Sequence, residues 1–314
     1  MKEIGFRRLA WANLAYNLGV IAWGAYVRAT GSGAGCGEHW PLCNGVPIPR
    51  APAMATLIEF THRLTSGVAL LLVILIALAA RRIHPRGHPA RLGAALSLGT
   101  MILEALLGAG LVLLGLVEDN DSVARAIAMS LHLLNTLLLL GALTLTAWWA
   151  SGGPRFRLRG QGVLGWTVLA GLAAMMVLGA SGAVTALGDT LYPAGSLREG
   201  MIQDFSPTAH FLVRLRVLHP LLALGTGGLL LFVSVTAAIA RPARSVRLAA
   251  ISLCVLFVAQ LGAGLLNLVL LAPVWMQLVH LLLADLVWIA LVLLSASALS
   301  ARPRESEESS PALA

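Results

Sequence analysis

Polar residues punctuate this chain instead of alternating with apolar ones. Eight apolar blocks, at about 9–27, 56–80, 92–116, 125–149, 163–187, 210–239, 248–271 and 276–299, are separated by polar stretches that are mostly short. Each block is long enough to cross ~30 Å of hydrocarbon as an α-helix. The pattern predicts an all-α integral membrane protein with eight transmembrane helices. The first block follows Lys2, Arg7 and Arg8, but no small-residue cleavage site follows it before Arg28-Ala29-Thr30-Gly31, so it is taken as a helix and not as a signal peptide. Composition agrees: of 314 residues 58% are hydrophobic and 11% charged, against roughly 25% charged in a soluble domain. An ordinary soluble globule is excluded.

A net charge of +8 could suit nucleic acid, but the basic residues sit in short clusters between apolar blocks, where they set membrane orientation. Nucleic acid is therefore not an expected partner. With the N-terminus inside, the inside segments hold Lys2, Arg7, Arg8, Arg81, Arg82, Arg86, Arg91, Arg155, Arg157, Arg159, Arg241, Arg244, Arg247, Arg302 and Arg304, fifteen of the 22 basic residues. Glu38, Glu118, Asp119, Asp121, Asp189, Glu199 and Asp204 fall outside, which places both termini in the cytoplasm. The two longest connections, about 28–55 and 188–209, then lie outside, and residues 301–314 form a disordered cytoplasmic tail.

The chain repeats itself. Glu59-Phe-Thr-His62-Arg63 in the second block answers Arg216-Val-Leu-His219-Pro220 in the sixth; Glu104-Ala-Leu-Leu-Gly108 in the third answers Gln260-Leu-Gly-Ala-Gly264 in the seventh; His132 in the fourth answers His280 in the eighth. The first two matches are offset by 157 and 156 positions and the third by 148, a shorter connection before the last block making the difference. Two four-helix bundles follow, 1–150 and 151–300. Each has an even number of spans, so a pseudo-twofold axis along the membrane normal relates them.

A histidine inside a span is costly and points to function. His62, His132, His219 and His280 each stand about 5–9 residues inside the outer end of their block, or ~8–14 Å deep. Every half has one on its second and one on its fourth span, an arrangement in which facing helices clamp a metal centre. Two imidazoles underfill a zinc site but complete haem iron. Interhelical hydrogen bonding would account for one such histidine, less readily for four at matched positions. Arg28, Arg63, Arg214 and Arg216, at the outer boundary, are candidates to hold haem propionates. His84 and His88 lie in a cytoplasmic connection and His39 and His210 on the outer side, and each reads as a solvated surface residue.

The halves differ at one position. Glu59 precedes its histidine by three residues, on the same helix face, where the other half has Arg216. A desolvated carboxyl there suits proton transfer, so Glu59 is the candidate catalytic residue, although an ion pair with Arg63 is the plain alternative. Glu104 and Asp285 are expected to hydrogen-bond between helices. Pro220 reads as a tolerated kink that can also aim His219, and Cys254 as a small buried hydrophobe. Cys36 and Cys43, with six residues between them on the oxidising side, can form a disulfide or a redox-active dithiol couple.

Val27-Arg28-Ala-Thr30-Gly31-Ser32-Gly33, the Cys36/Cys43 loop, Glu59-x-x-His62-Arg63 and the three later histidines together resemble haem A synthase, over all eight blocks. The resemblance implies a bacterial plasma-membrane oxidoreductase of cytochrome oxidase assembly that converts the C8 methyl of haem O to the formyl group of haem A by successive hydroxylations. It implies His62 and His132 as ligands of the substrate haem, Glu59 as the catalytic carboxyl, His219 and His280 as ligands of a haem b cofactor, and Cys36–Cys43 as a disulfide. The partners it implies are haem O, the haem O synthase that makes it, membrane lipid and further copies of the chain. Glu104 departs from the family by standing where a glutamine is expected. A di-haem cytochrome relaying electrons from quinol would use the same four histidines but needs neither Glu59 nor the cysteine loop. A transporter would share the parallel repeat, but not histidines so near the outer surface.

Overall fold

A computed structural model describes residues 3–157 and 159–300 of the chain; the tail read above as disordered, 301–314, lies outside the described residues. Among the described residues it is all helical apart from one Cys43–Val46 bridge. The first half comprises α1 (Glu3–Ala29), α2 (Met54–Ile83), α3 (Pro89–Leu113) and α4 (Val123–Ala150). The second comprises α5 (Gly162–Leu191), α6 (Leu197–Phe205), α7 (Phe211–Leu215), α8 (Leu218–Ala240), α9 (Arg244–Val269) and α10 (Val274–Ser300). Local chemistry starts several of them: Ser122 Oγ accepts from Arg125 N at 3.2 Å to cap α4, and His88 caps α3 ahead of Pro89, whose missing N–H is spared at a first turn.

Seven segments are long and apolar enough to cross a membrane: α2, α3, α4, α5, α7 with α8, α9 and α10. The sequence pattern predicts eight. The first block does form a helix of 27 residues, about 40 Å long, but it is less apolar than the rest. Asn13 and Asn17 interrupt it, both buried, with Asn17 Nδ2 donating to Asn13 O at 2.9 Å. The sixth block is also not one helix. It breaks at Arg216–Val217 between α7 and α8, where His219 N reaches back only three residues to Arg216 O at 3.3 Å. Pro220 has no N–H to offer that carbonyl. The outer connection 188–209 contains α6, capped by Ser196 Oγ on Glu199 N at 3.2 Å.

The helices of each half form a ring. α1 packs on α2, α2 on α3, α3 on α4 and α4 on α1; α5, α8, α9 and α10 do the same in order. Between the halves, α4 meets α10, α4 meets α5 and α1 meets α10. Exchanging α1 with α5 and α4 with α10 leaves that set unchanged, as the pseudo-twofold repeat requires. α4 and α10 line the seam and contribute its dry centre, including Leu139, Leu140, Leu143, Leu291 and Leu294. Trp288 Nε1 crosses the seam to Leu137 O at 2.6 Å. By contrast, α2, α3, α8 and α9 turn Leu71, Ile102, Leu224 and Val258 outward, the dress of lipid-facing helices.

The polar connections sort by end. At one end Arg155 donates to Gly87 O, Arg157 N to Leu299 O at 3.0 Å, and Arg241 Nη2 to Gln161 Oε1 at 2.8 Å. At the other, Tyr192 Oη donates to Asp121 Oδ2 at 2.5 Å, drawing the acidic turns of the two halves together.

Candidate functional site

Each membrane histidine is seated by the helix before it in its ring. His62 on α2 lies against Gly24 of α1, and a Cβ on Gly24 would stand 2.9 Å from His62 Cε1. His219 on α8 lies against Gly182 of α5 (3.1 Å) and His280 on α10 against Gly264 of α9 (3.0 Å), again through Cε1. The approach of His132 on α4 to Gly108 of α3 is looser, 3.9 Å to Nε2. These glycines are needed for close approach. Sequence reasoning had not singled them out as seats, yet the signal was there: Gly24 and Gly182 are 158 positions apart and Gly108 and Gly264 are 156 apart, matching the histidine repeat.

In the second half His219 and His280 face each other, ring centres 6.3 Å apart and planes at 81°. Ser181 Oγ lies 2.9 Å from His219 Nδ1, and Gln260 Nε2 lies 3.3 Å from His280 Nε2. Nδ1 of His280 is buried without a hydrogen-bond partner, as is Nδ1 of His62. In the first half Glu104 does bond across from α3 to α4, as expected. It takes Asn135 Nδ2 at 2.6 Å and Thr136 Oγ1 at 2.5 Å, and its Oε1 stands 3.1 Å from His132 Nδ1, off the line of a straight hydrogen bond. Asp285 does not bond between helices: its side chain is 1% exposed and Oδ1 meets no donor among the described residues.

Glu59 is 3% exposed and fully engaged. Oε2 accepts from Cys36 N at 2.7 Å, and Oε1 accepts from Arg63 Nε at 3.1 Å and from Arg63 Nη2. Arg63 Nη1 continues to His39 O at 2.6 Å and Leu42 O at 2.7 Å, both between the disulfide-linked Cys36 and Cys43. Thr56 Oγ1 adds a bond to Gly35 O at 2.6 Å, and a Cβ on Gly35 would sit 2.4 Å from Ala55 C, so the loop presses on the start of α2. The outer loop and the histidine-bearing helix are thus one assembly, and His39, expected to be simply solvated, belongs to it through its carbonyl.

Two other arginines are occupied by protein. Arg28 crosses between halves, Nη1 to Ala186 O at 2.8 Å and Thr190 Oγ1 at 2.6 Å, Nη2 to Gln277 Oε1 at 2.8 Å. Arg216 Nη1 pairs with Asp189 at 3.1 Å and Nη2 with Asp204 at 2.9 Å. Arg214, on α7 before the break, is exposed. Cys254 is partly buried. The charge reversal between Glu59 and Arg216 is real, and each charge is met by the protein's own groups.

The sequence profile of the cytochrome oxidase assembly proteins COX15-CtaA matches residues 7–292. The chain belongs to this family. With its seven apolar helices it is an integral membrane protein. Among curated proteins it is 54% identical over 302 residues to the "Protoheme IX farnesyltransferase" of Thermus thermophilus, a match spanning 95% of this chain and 50% of that protein. It is 43% identical to the "Heme A synthase" of Shouchella clausii over 111 residues (35% of this chain, 37% of that protein) and to that of Bacillus mycoides over 96 residues (31% of each). The chain spans about half the length of the Thermus protein it matches and a smaller share of the two synthases.

Proposed function

We propose that the chain acts in haem A biosynthesis as haem A synthase, oxidising the C8 methyl of haem O to a formyl group. The observation that carries this is the fourfold seating of His62, His132, His219 and His280 on the helices of two like bundles. His219 and His280 suit a haem b: two metal–nitrogen bonds of about 2 Å and about 1 Å from each nitrogen to its ring centre sum to about 6 Å, against the observed 6.3 Å. No group of three or more His, Cys, Asp or Glu side chains among the described residues forms a conventional metal cluster, so the donor set is two imidazoles, as haem iron takes.

Bound there, haem b supplies one-electron transfer. The protein's own residues do the rest. His62 and His132 hold the substrate haem O; Glu59 is the acid–base group beside His62, and Oε2, which accepts from Cys36 N alone, keeps a lone pair that can take up a proton. Arg214 is the arginine free to meet a propionate. The Cys36–Cys43 loop, through Arg63, keeps Glu59 desolvated. Eight spans, α1 included, with both termini cytoplasmic in a bacterial plasma membrane, are supported by the gathering of the basic connections at one end and the acidic ones at the other.

The names of the relatives describe two steps, farnesyl transfer to protohaem and synthesis of haem A, so the test separates them. The chain is expressed with haem O supplied, or with protohaem and farnesyl diphosphate, and non-covalent haem is extracted and identified by chromatography and mass. Haem A or its hydroxymethyl precursor is expected from haem O. Haem O from the second mixture would make the chain the transferase, and haem b alone would favour the electron-relaying cytochrome. Glu59→Gln is expected to lose conversion while keeping bound haem; full conversion in that variant, with loss in His62→Ala, refutes the acid–base role.

A further inference from the structure

The two bundles place a different partner beside the last histidine of each. Glu104 on α3 and Gln260 on α9 occupy matching positions, and each reaches the imidazole carried by the next helix, His132 and His280. The carboxylate comes to 3.1 Å of His132 Nδ1, is held there by Asn135 and Thr136, and can only accept. The amide comes to 3.3 Å of His280 Nε2 and carries no charge. An acceptor at that distance favours a proton on His132 Nδ1, which leaves Nε2, 3.9 Å from a Cβ built on Gly108, as the nitrogen to ligate.

The geometry points to Glu104 as a positioning residue that fixes the tautomer of His132, raises its basicity as a ligand, and makes the first-half haem site the lower in reduction potential of the two. This rests on the haem reading above. A more basic ligand stabilises the oxidised metal more than the reduced one, and hydrogen bonding to the axial ligand is one of the protein's levers on haem potential. A single side-chain difference would thus give the two halves of a symmetric scaffold haem sites of unequal potential.

The test is spectroelectrochemical titration of the purified full chain saturated with haemin. Glu104→Gln is expected to raise the lower midpoint and leave the other in place, with roughly 10–100-fold weaker haemin binding at that site. Glu104→Asp, which withdraws the carboxylate from Nδ1, is expected to raise the lower midpoint by part of that amount, and it decides the matter should Glu104→Gln not fold. Loaded protein of unchanged helicity whose midpoints move in neither variant overturns the inference. A wild-type chain that shows no bis-histidine haem spectrum overturns the haem reading instead, a different result from a loaded wild type with unmoved variants.

Discussion

The decisive residues around the histidines are the ones with no side chain. An added methyl on Gly24 meets His62 at 2.9 Å, inside any real Cβ contact, while on Gly108 it meets His132 at an ordinary 3.9 Å. Because the ring is the free end of a side chain it yields, at a stability cost on the order of 1 kcal/mol, but it loses its aim. Gly24→Ala is therefore expected to lose bound haem with little change in thermal midpoint, and Gly108→Ala to keep both, as haem absorbance and thermal unfolding in detergent would show. Asp285 is the opposite case, a buried carboxyl without a donor for Oδ1. Burying a polar group unpaired costs about 1–3 kcal/mol, so Asp285→Leu is expected to raise the thermal midpoint; a lower one would reveal a partner or a role in proton movement.

At the scale of elements, helix ends decide more than helix interiors. The end of α2 is closed by His84, which meets Phe6 edge-on at 5.0 Å and stacks on His88 at 4.1 Å. Burial pushes the His84 imidazole below the ordinary histidine range and the neighbouring His88 adds to it; burial and then Arg155 do the same to His88. The folded state thus prefers both rings neutral, while the unfolded chain takes up protons at about 6.5. The pair's contribution is whole above that pH and is lost as pH falls through the lowered folded values. Thermal midpoints measured from pH 7.5 down to 5 should decline, and more shallowly in His84→Phe. These two histidines, read from the sequence as solvated, are part of a packing motif because the first helix supplies Phe6 to His84, on which His88 stacks.

At the scale of the whole molecule, the seam between bundles and the sorting of charge belong together. Arg28, at the end of α1, ties the first bundle to α5 and α10 at the acidic end, and Arg241 ties α8 to Gln161 at the basic end. Orientation is checked with reporters fused after Ala314 and into the turn at Asn120. Alkaline phosphatase is expected to be active only at 120, and a fluorescent protein to glow only at the C-terminus; the reverse pattern would invert the chain in the membrane.

The sequence by itself determined the helical membrane class, the internal repeat, the four histidines and the family, because a bilayer demands long apolar runs and makes every buried imidazole conspicuous. Its pattern marked eight blocks, of which seven form helices apolar enough to cross a membrane by length and composition; the first forms a helix too, with Asn13 and Asn17 buried against its neighbours. The kink read at Pro220 takes the form of a helix break at Arg216–Val217, the turn before it. Only the tertiary structure decided what the charged groups do. Glu59 is bound to Cys36 and Arg63, Arg28 spans the seam, Arg216 is met by Asp189 and Asp204, and Glu104 stands beside His132 where Gln260 stands beside His280. Arg63 apart, which shares the helix of Glu59, those partners come from other helices and loops, and a one-dimensional pattern states which charges a chain carries but not which groups its folding brings into contact.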